Sequence, residues 1–258
     1  MTLRVLSDIS PLQVEPTRHR GIGQYTAAVL DALLRQQGSE ISHIFLANGH
    51  LPQPNPLLND SRVDWRMYYG DYPLYDYDVT KCLGQVKAYG EYWEAKLKRF
   101  SPDVLHIHDP FGWSIPLHRK HAAVPTVLTV YDLIPLKLEE QYLRRSPLWM
   151  RQGYQHVTDL ICQADHIVAI SEHTRKDVHE LLNVALDRIS VAYAGPSPLT
   201  KLTPSRQVAD KVRKHFNLPG GCILSVSGYD YRKNLARMFE SYSLLDARLR
   251  QQYPFVVV

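Results

Sequence analysis

Short runs of β-branched and aliphatic residues alternate with stretches of helical period along this chain. That alternation constrains the fold more than any other feature. The runs are Leu3–Ile9, Ser42–Ala47, Val63–Tyr69, Val104–His108, Thr126–Val130, His166–Ile170, Ile189–Tyr193, Cys222–Ser227 and Phe255–Val258. Several are near-continuous in Val, Ile and Leu, as in strands buried on both faces. Amphipathic helices are predicted between many of them, over Gln24–Gln36, Val86–Phe100, Pro147–Cys162, Glu172–Leu182, Ser205–Phe216 and Leu235–Arg250. Strand and helix in alternation predict an α/β fold with a doubly wound parallel sheet. Ligands of such sheets sit at the carboxyl ends of the strands.

One composition break divides the pattern. Three prolines, Pro196, Pro198 and Pro204, fall within nine residues and read as an interdomain linker. The expected organisation is a Rossmann-like domain over 1–195, a linker over 196–204, and a second domain opening at 205–258. The second part holds a strand, a helix and the first residues of another strand. That is too little to cover both faces of a sheet, so this domain is expected to be incomplete.

Composition narrows the function classes. The 258 residues are 45% hydrophobic, enough for one large domain or one domain and part of another. No run reaches the length of a membrane span, and no signal peptide is expected. Cys82, Cys162 and Cys222 lie far apart and form no Cys-x-x-Cys pair, which argues against a disulfide frame or a zinc knuckle. A reducing, cytoplasmic setting fits. The net charge of +4 suits anionic ligands or an anionic membrane face, and solvated lysines explain it equally well.

Arg20-Gly21-Ile22-Gly23-Gln24-Tyr25-Thr26 follows the first run and opens a helix. Two glycines permit a tight turn and a close approach to a ligand. The helix start offers unpaired N–H groups and a positive dipole end to an anion; a plain turn into a core helix is the alternative. The loop is no dinucleotide fingerprint. Thr26 replaces the third glycine, and the second run closes at Ala47-Asn48 without an acid, so a nicotinamide cofactor is not expected.

Five further stretches fall at strand ends or helix starts: Asp103–Pro110, Val130–Pro135, Ala164–Thr174, Val191–Gly195 and Ser227–Asn234. With the glycine loop, their order and spacing resemble the group 1 family of retaining glycosyltransferases with the GT-B fold. The resemblance covers nearly the whole chain: a full N-terminal domain and the opening of the C-terminal one. Tyr131 looks most like the mannosyltransferase-type members that build surface polysaccharides.

The resemblance implies transfer of a hexose, with mannose favoured, from a nucleotide-diphosphate sugar to a saccharide or lipid-linked acceptor. GDP-mannose is the favoured donor, with no other cofactor and no metal. Gly21, Ile22 and Gly23 would face the donor phosphates. Arg232 and Lys233 would bind the diphosphate, with solvated surface cations as the alternative. Tyr229 stands where many members carry an arginine. Tyr131 stands where many carry a histidine, and a phenol donates one hydrogen bond but takes no positive charge.

Catalytic positions are assigned to His108, Asp109, Tyr131 and Asp132. His106 is expected to be structural, with His108 or Asp109 facing the cleft. Asp132 could hold an acceptor hydroxyl or cap the next turn. Ser171, Glu172 and Tyr25 are placed at the acceptor side, although Ser171-Glu172 also reads as an ordinary helix start. Trp65, Tyr68, Tyr69, Tyr72, Tyr75 and Tyr77 could stack on an acceptor sugar or pack in the core. Lys87, Lys96, Lys98, Arg99, Arg144, Arg145 and Arg151, the last three beside Trp149 and Met150, could touch an anionic membrane, or be a solvated face. No nucleic-acid partner is expected.

The paired glutamates that bind the donor in the family have no counterpart up to Val258, so the chain alone is expected to have little transferase activity. Two other classes stay open. One is an acceptor-binding or membrane-docking half of a split enzyme. The other is a metal-dependent hydrolase using His106, His108 and Asp109. The two histidines are expected on opposite faces of their strand, which would make them poor joint ligands.

Overall fold

The computed structural model describes residues 2–35, 40–52, 63–68, 94–112, 124–196, 203, 205–218, 220–226, 228 and 230–258. The chain divides into two compact units, Met1–Ser197 and Pro198–Val258. The first holds a seven-stranded sheet of order β3-β2-β1-β4-β5-β6-β7. Its strands are β1 (Leu3–Asp8), β2 (Ile41–Asn48), β3 (Val63–Tyr68), β4 (Val104–Ile107), β5 (Thr126–Val130), β6 (His166–Ala169) and β7 (Ile189–Val191). Every neighbouring pair is parallel. This is the doubly wound sheet that the alternation predicts.

Register decides which residues each face buries. Leu6 pairs with Ile44 and Asp8 with Leu46, so these residues share one face, and Phe45 and Ala47 point to the other. Leu30 and Leu34 of the helix Gly21–Arg35 pack with Ile9, Phe45, Ala47 and Val63. Leu6, Ile44 and Leu46 join a second core with Leu97 and Phe100. Helix Leu148–Gln163 adds Val157, Leu160 and Ile161 to that core, and helix Glu172–Leu182 adds Val178. Both sheet faces are therefore dry at β2, which explains its unbroken apolar run.

Local chemistry sets the helix ends. Ser171 Oγ accepts from the Thr174 N–H at 3.1 Å, and Asn183 ends the same helix in the left-handed region at φ 54°. Arg188 donates to the carbonyls of Cys162 and Ala164, covering the end of helix Leu148–Gln163.

Strand order reverses beside β1. The chain moves outward through β2 and β3, then returns to lay β4 on the other side of β1. The carboxyl ends of β1 and β4 thus flank the topological switch point, where a crevice opens in folds of this kind.

The second unit pairs β8 (Ile223–Ser225) with β9 (Phe255–Val257) in parallel. Phe239 and Tyr242 pack on Phe255 with ring centroids 5.4 Å apart. Leu224, Val226 and Val258 remain exposed. The single helix expected over Leu235–Arg250 is two: Leu235–Ser243 and Ala247–Gln252. Asp246 separates them, because its carboxylate accepts the Arg248 N–H at 2.8 Å and starts a new helix. Among the described residues, no helix is long and apolar enough to cross a membrane.

Candidate functional site

Buried polar side chains gather at the ends of β1 and β4. Asp8, Ser10 and His108 are fully buried, and Asp109 is 5% exposed. Both Asp8 oxygens accept from Ser10, from its N–H at 3.0 Å and its hydroxyl at 2.7 Å. Burial and the nearby Asp8 charge raise Asp109 to a pKa of about 6, although the Phe111 and Gly112 amides favour its charged form. Asp8 is a site residue that no sequence motif marks. Its position as the last residue of β1 was the available signal.

The two histidines do not point apart. Their ring centroids are 3.9 Å apart at an interplanar angle of 39°. Positions two apart on a strand share a face, so the expected divergence is corrected. Burial holds His106 near pKa 4, and its Nε2 meets Thr129 Oγ1 at 2.9 Å. Burial, then His106, pushes His108 well below the ordinary value. Neither ring nitrogen of His108 has a hydrogen-bond partner among the described residues. Among those residues no group of three or more His, Cys, Asp or Glu side chains could hold a metal ion.

The glycine helix is tied to the neighbouring strand ends. The Tyr131 hydroxyl lies 3.1 Å from Thr26 Oγ1 and donates to the Ile22 carbonyl at 3.3 Å. Tyr131 and Tyr25 meet edge to face with centroids 5.4 Å apart, and Tyr25 donates to the Ala192 carbonyl at 2.8 Å. Burial raises both phenols above their ordinary range, so both remain protonated donors. Gly23 is required by packing. A Cβ there would stand 2.6 Å from the carbonyl oxygens of Thr17 and Arg18. Gly21 faces open space.

Other expected site residues take local roles. Asp132 Oδ1 accepts the Ile134 N–H at 3.1 Å, the capping alternative. Glu172 pairs with Arg175 at 2.7 Å beside the Ser171 cap. Trp65 packs edge-on against Phe45, its core alternative, with centroids 5.7 Å apart. Tyr69, Tyr72, Tyr75, Tyr77, Lys87 and Tyr229 lie outside the described residues, as does the side chain of Tyr68.

In the second unit Tyr231–Lys233 forms one tight turn. Asp230 accepts from Arg232 Nε at 3.0 Å and from its NH2 at 2.9 Å, a forked pair that orients the guanidinium. The Lys233 ammonium is exposed and makes no ion pair among the described residues. Asn234 follows at φ 50° and opens helix Leu235–Ser243. A cavity of about 590 Å³ is lined by Asp230, Arg232, Asn234 and Arg237, among others. Arg237, one turn beyond the basic pair, belongs to no sequence motif.

Comparison with known proteins assigns the family. The serotype-specific mannosyltransferase WbdA of Escherichia coli is 26% identical over 99% of this chain. The chain spans 31% of that relative's length. In fold, it resembles Anabaena HepE, solved with UDP and glucose, at TM-score 0.60 and 12% identity over 99% of the chain and 60% of HepE. It resembles sucrose-phosphate synthase from Thermosynechococcus elongatus at TM-score 0.60 and 13% identity, over 99% of the chain and 62% of the synthase. Residues 19–196, which run from the glycine turn past β7, match Glycosyltransferase Family 4, and the chain belongs to that family.

Proposed function

We propose that this chain is the acceptor-side domain, and the opening of the donor-side domain, of a retaining hexosyltransferase. The match of residues 19–196 to the glycosyltransferase family carries this reading. Similarity to a mannosyltransferase supports mannose as the sugar, with GDP-mannose as donor and a saccharide or lipid-linked saccharide of surface polysaccharide as acceptor. The setting is the cytoplasm, with Arg145 and Arg151 available to an anionic membrane face. Cationic side chains and helix starts hold the diphosphate, so no metal is required.

The first-turn amides of Gly21, Ile22 and Gly23 face the donor phosphates. Tyr131 holds that turn through Ile22 and Thr26, so its part in catalysis is positioning. Lys233 supplies an exposed charge to the leaving diphosphate, and Arg232 supplies a guanidinium already aimed by Asp230. Asp109 lies just past the end of β4, where an acceptor hydroxyl would bind, and His108 beside it in sequence is fully buried.

Calorimetric titration with GDP, UDP and GDP-mannose, without metal, tests this. Binding of one nucleotide that is lost in Lys233→Ala supports the phosphate site. Absence of binding both in this chain and in a longer one carrying further C-terminal sequence rejects the transferase reading. The exposed Leu224, Val226 and Val258 favour a second reading, in which this chain is half of a split enzyme and a partner completes the second sheet. Nucleotide binding restored by a separate partner chain would distinguish it.

A further inference from the structure

On the β3 side of the sheet, near the amino ends of β1 and β4, a groove of about 410 Å³ is lined by Arg4, Arg66, Lys96 and Arg99 beside Phe100. Register explains the convergence. Leu46 pairs with Arg66, and Leu46 shares its face with Leu6, so Arg66 and Arg4 project on the side covered by helical residues 94–100. Among the described residues, none that lines the groove is acidic.

Two of these cations are held in place. Arg4 donates to the Ser101 carbonyl at 2.9 Å. Arg66 donates to Asp64 at 2.6 Å, and its guanidinium carbon stands 5.9 Å from the centroid of Phe100. Arg99 is exposed and makes no ion pair among the described residues. Guanidinium forks match phosphate oxygens, and cations with fixed stems lose less freedom when they bind. The volume lies within the range of small-molecule sites.

We propose that this groove binds a phosphate-bearing ligand of about sugar-phosphate size. The groove's lining includes no residue of the glycine turn or of the Tyr231–Lys233 turn, and the proposal stands whether or not the transferase reading does. The phosphate could belong to a soluble metabolite or to a lipid headgroup.

The test is calorimetry of the whole chain with inorganic pyrophosphate, at about 50 mM salt where screening is weak. Flotation with phosphatidylcholine vesicles, with and without phosphatidylglycerol, forms the second arm. Arg99→Glu is expected to weaken binding at least ~10-fold. In a double Arg232→Ala, Lys233→Ala variant, which lacks the basic pair assigned to the donor diphosphate, saturable binding that depends on Arg99 is expected to remain. Pyrophosphate binding with this pattern identifies a soluble ligand. Binding only to phosphatidylglycerol vesicles, with the same Arg99 dependence, identifies a headgroup. Should Arg99→Glu lower the melting temperature, Arg99→Gln gives the reading. No saturable binding to either probe, binding indifferent to Arg99, or binding lost with Arg232 and Lys233 overturns the proposal.

Discussion

The ends of β1 and β4 and the Tyr231–Lys233 turn both carry charged chemistry, but they hold it in opposite ways. At the first, Asp8, Asp109 and His108 are buried and His106 is half-buried, and desolvation shifts the protonation of Asp109 and both histidines away from the ordinary range. At the second, Arg232 and Lys233 lie at the surface of a unit whose apolar residues are also exposed. The same residue classes therefore give different properties. In the first unit a packed sheet sets protonation and orientation. In the second, a short-range pair with Asp230 orients one cation, and the next is exposed with no ion pair among the described residues.

Core truncation gives the widest contrast. Ile161→Ala, at a fully buried position, is expected to cost the first unit about 3–4 kcal/mol in urea unfolding. Leu224→Ala, at a site 57% exposed, should cost under ~1 kcal/mol. Equal losses would break the comparison.

The glycine pair sharpens it within one motif. Gly23→Ala must move backbone and is expected to cost about 2–3 kcal/mol, whereas Gly21→Ala should change stability by less than ~0.5 kcal/mol. Thermal melts of the two variants decide this.

The buried titrations predict a pH signature. His106 and His108 are depressed, so the stability they confer is lost as pH falls from about 6.5 toward 4. Asp109 is raised from 3.8 to about 6, so its contribution runs the other way and is lost as pH rises through that window. Two histidines outweigh one acid, and stability should rise with pH between 4 and 6. Asp109→Asn should steepen that rise and add roughly 2–3 kcal/mol at pH 7, because the variant no longer has to ionise in a dry site. A slope unchanged by the substitution would show that Asp109 is not buried beside Asp8.

Ion pairs give the smallest difference. Lys137 meets Asp177, a carboxylate 7% exposed, at 2.6 Å. Lys137→Ala should cost about 1–2 kcal/mol, because it takes the ammonium from a nearly buried carboxylate and leaves only His173, at 3.5 Å, beside it. Arg232→Ala, at a partly exposed pair, should cost at most ~0.5 kcal/mol in melts, and under the proposed function it weakens nucleotide binding.

Much of the fold was legible in the sequence. Periodicity placed all nine described strands within two residues of their ends, and Glu172–Leu182 at both ends. It merged two helices where Asp246 intervenes, because Leu244-Leu245 continues the apolar pattern and the cap is a single local hydrogen bond. The site was legible as motifs but not as geometry. The glycine turn, His106-x-His108-Asp109 and Tyr131-Asp132 each stand at a strand end or helix start. Their partners do not follow from spacing, since Thr26 meets Tyr131 and Tyr25 meets Ala192 across long stretches of chain.

The sequence by itself determined the parallel α/β sheet and the positions of its polar strand ends, because side-chain period and strand burial are local properties. Only the tertiary structure decided what those ends do. Asp8 is 101 positions from Asp109, yet parallel pairing of β1 with β4 brings them near each other, and exclusion of water there raises the Asp109 pKa. The same packing turned Tyr131 toward Ile22 and made Gly23 a steric necessity. Protonation and orientation depend on neighbours brought in by folding, and a linear pattern carries no record of them until the chain is packed.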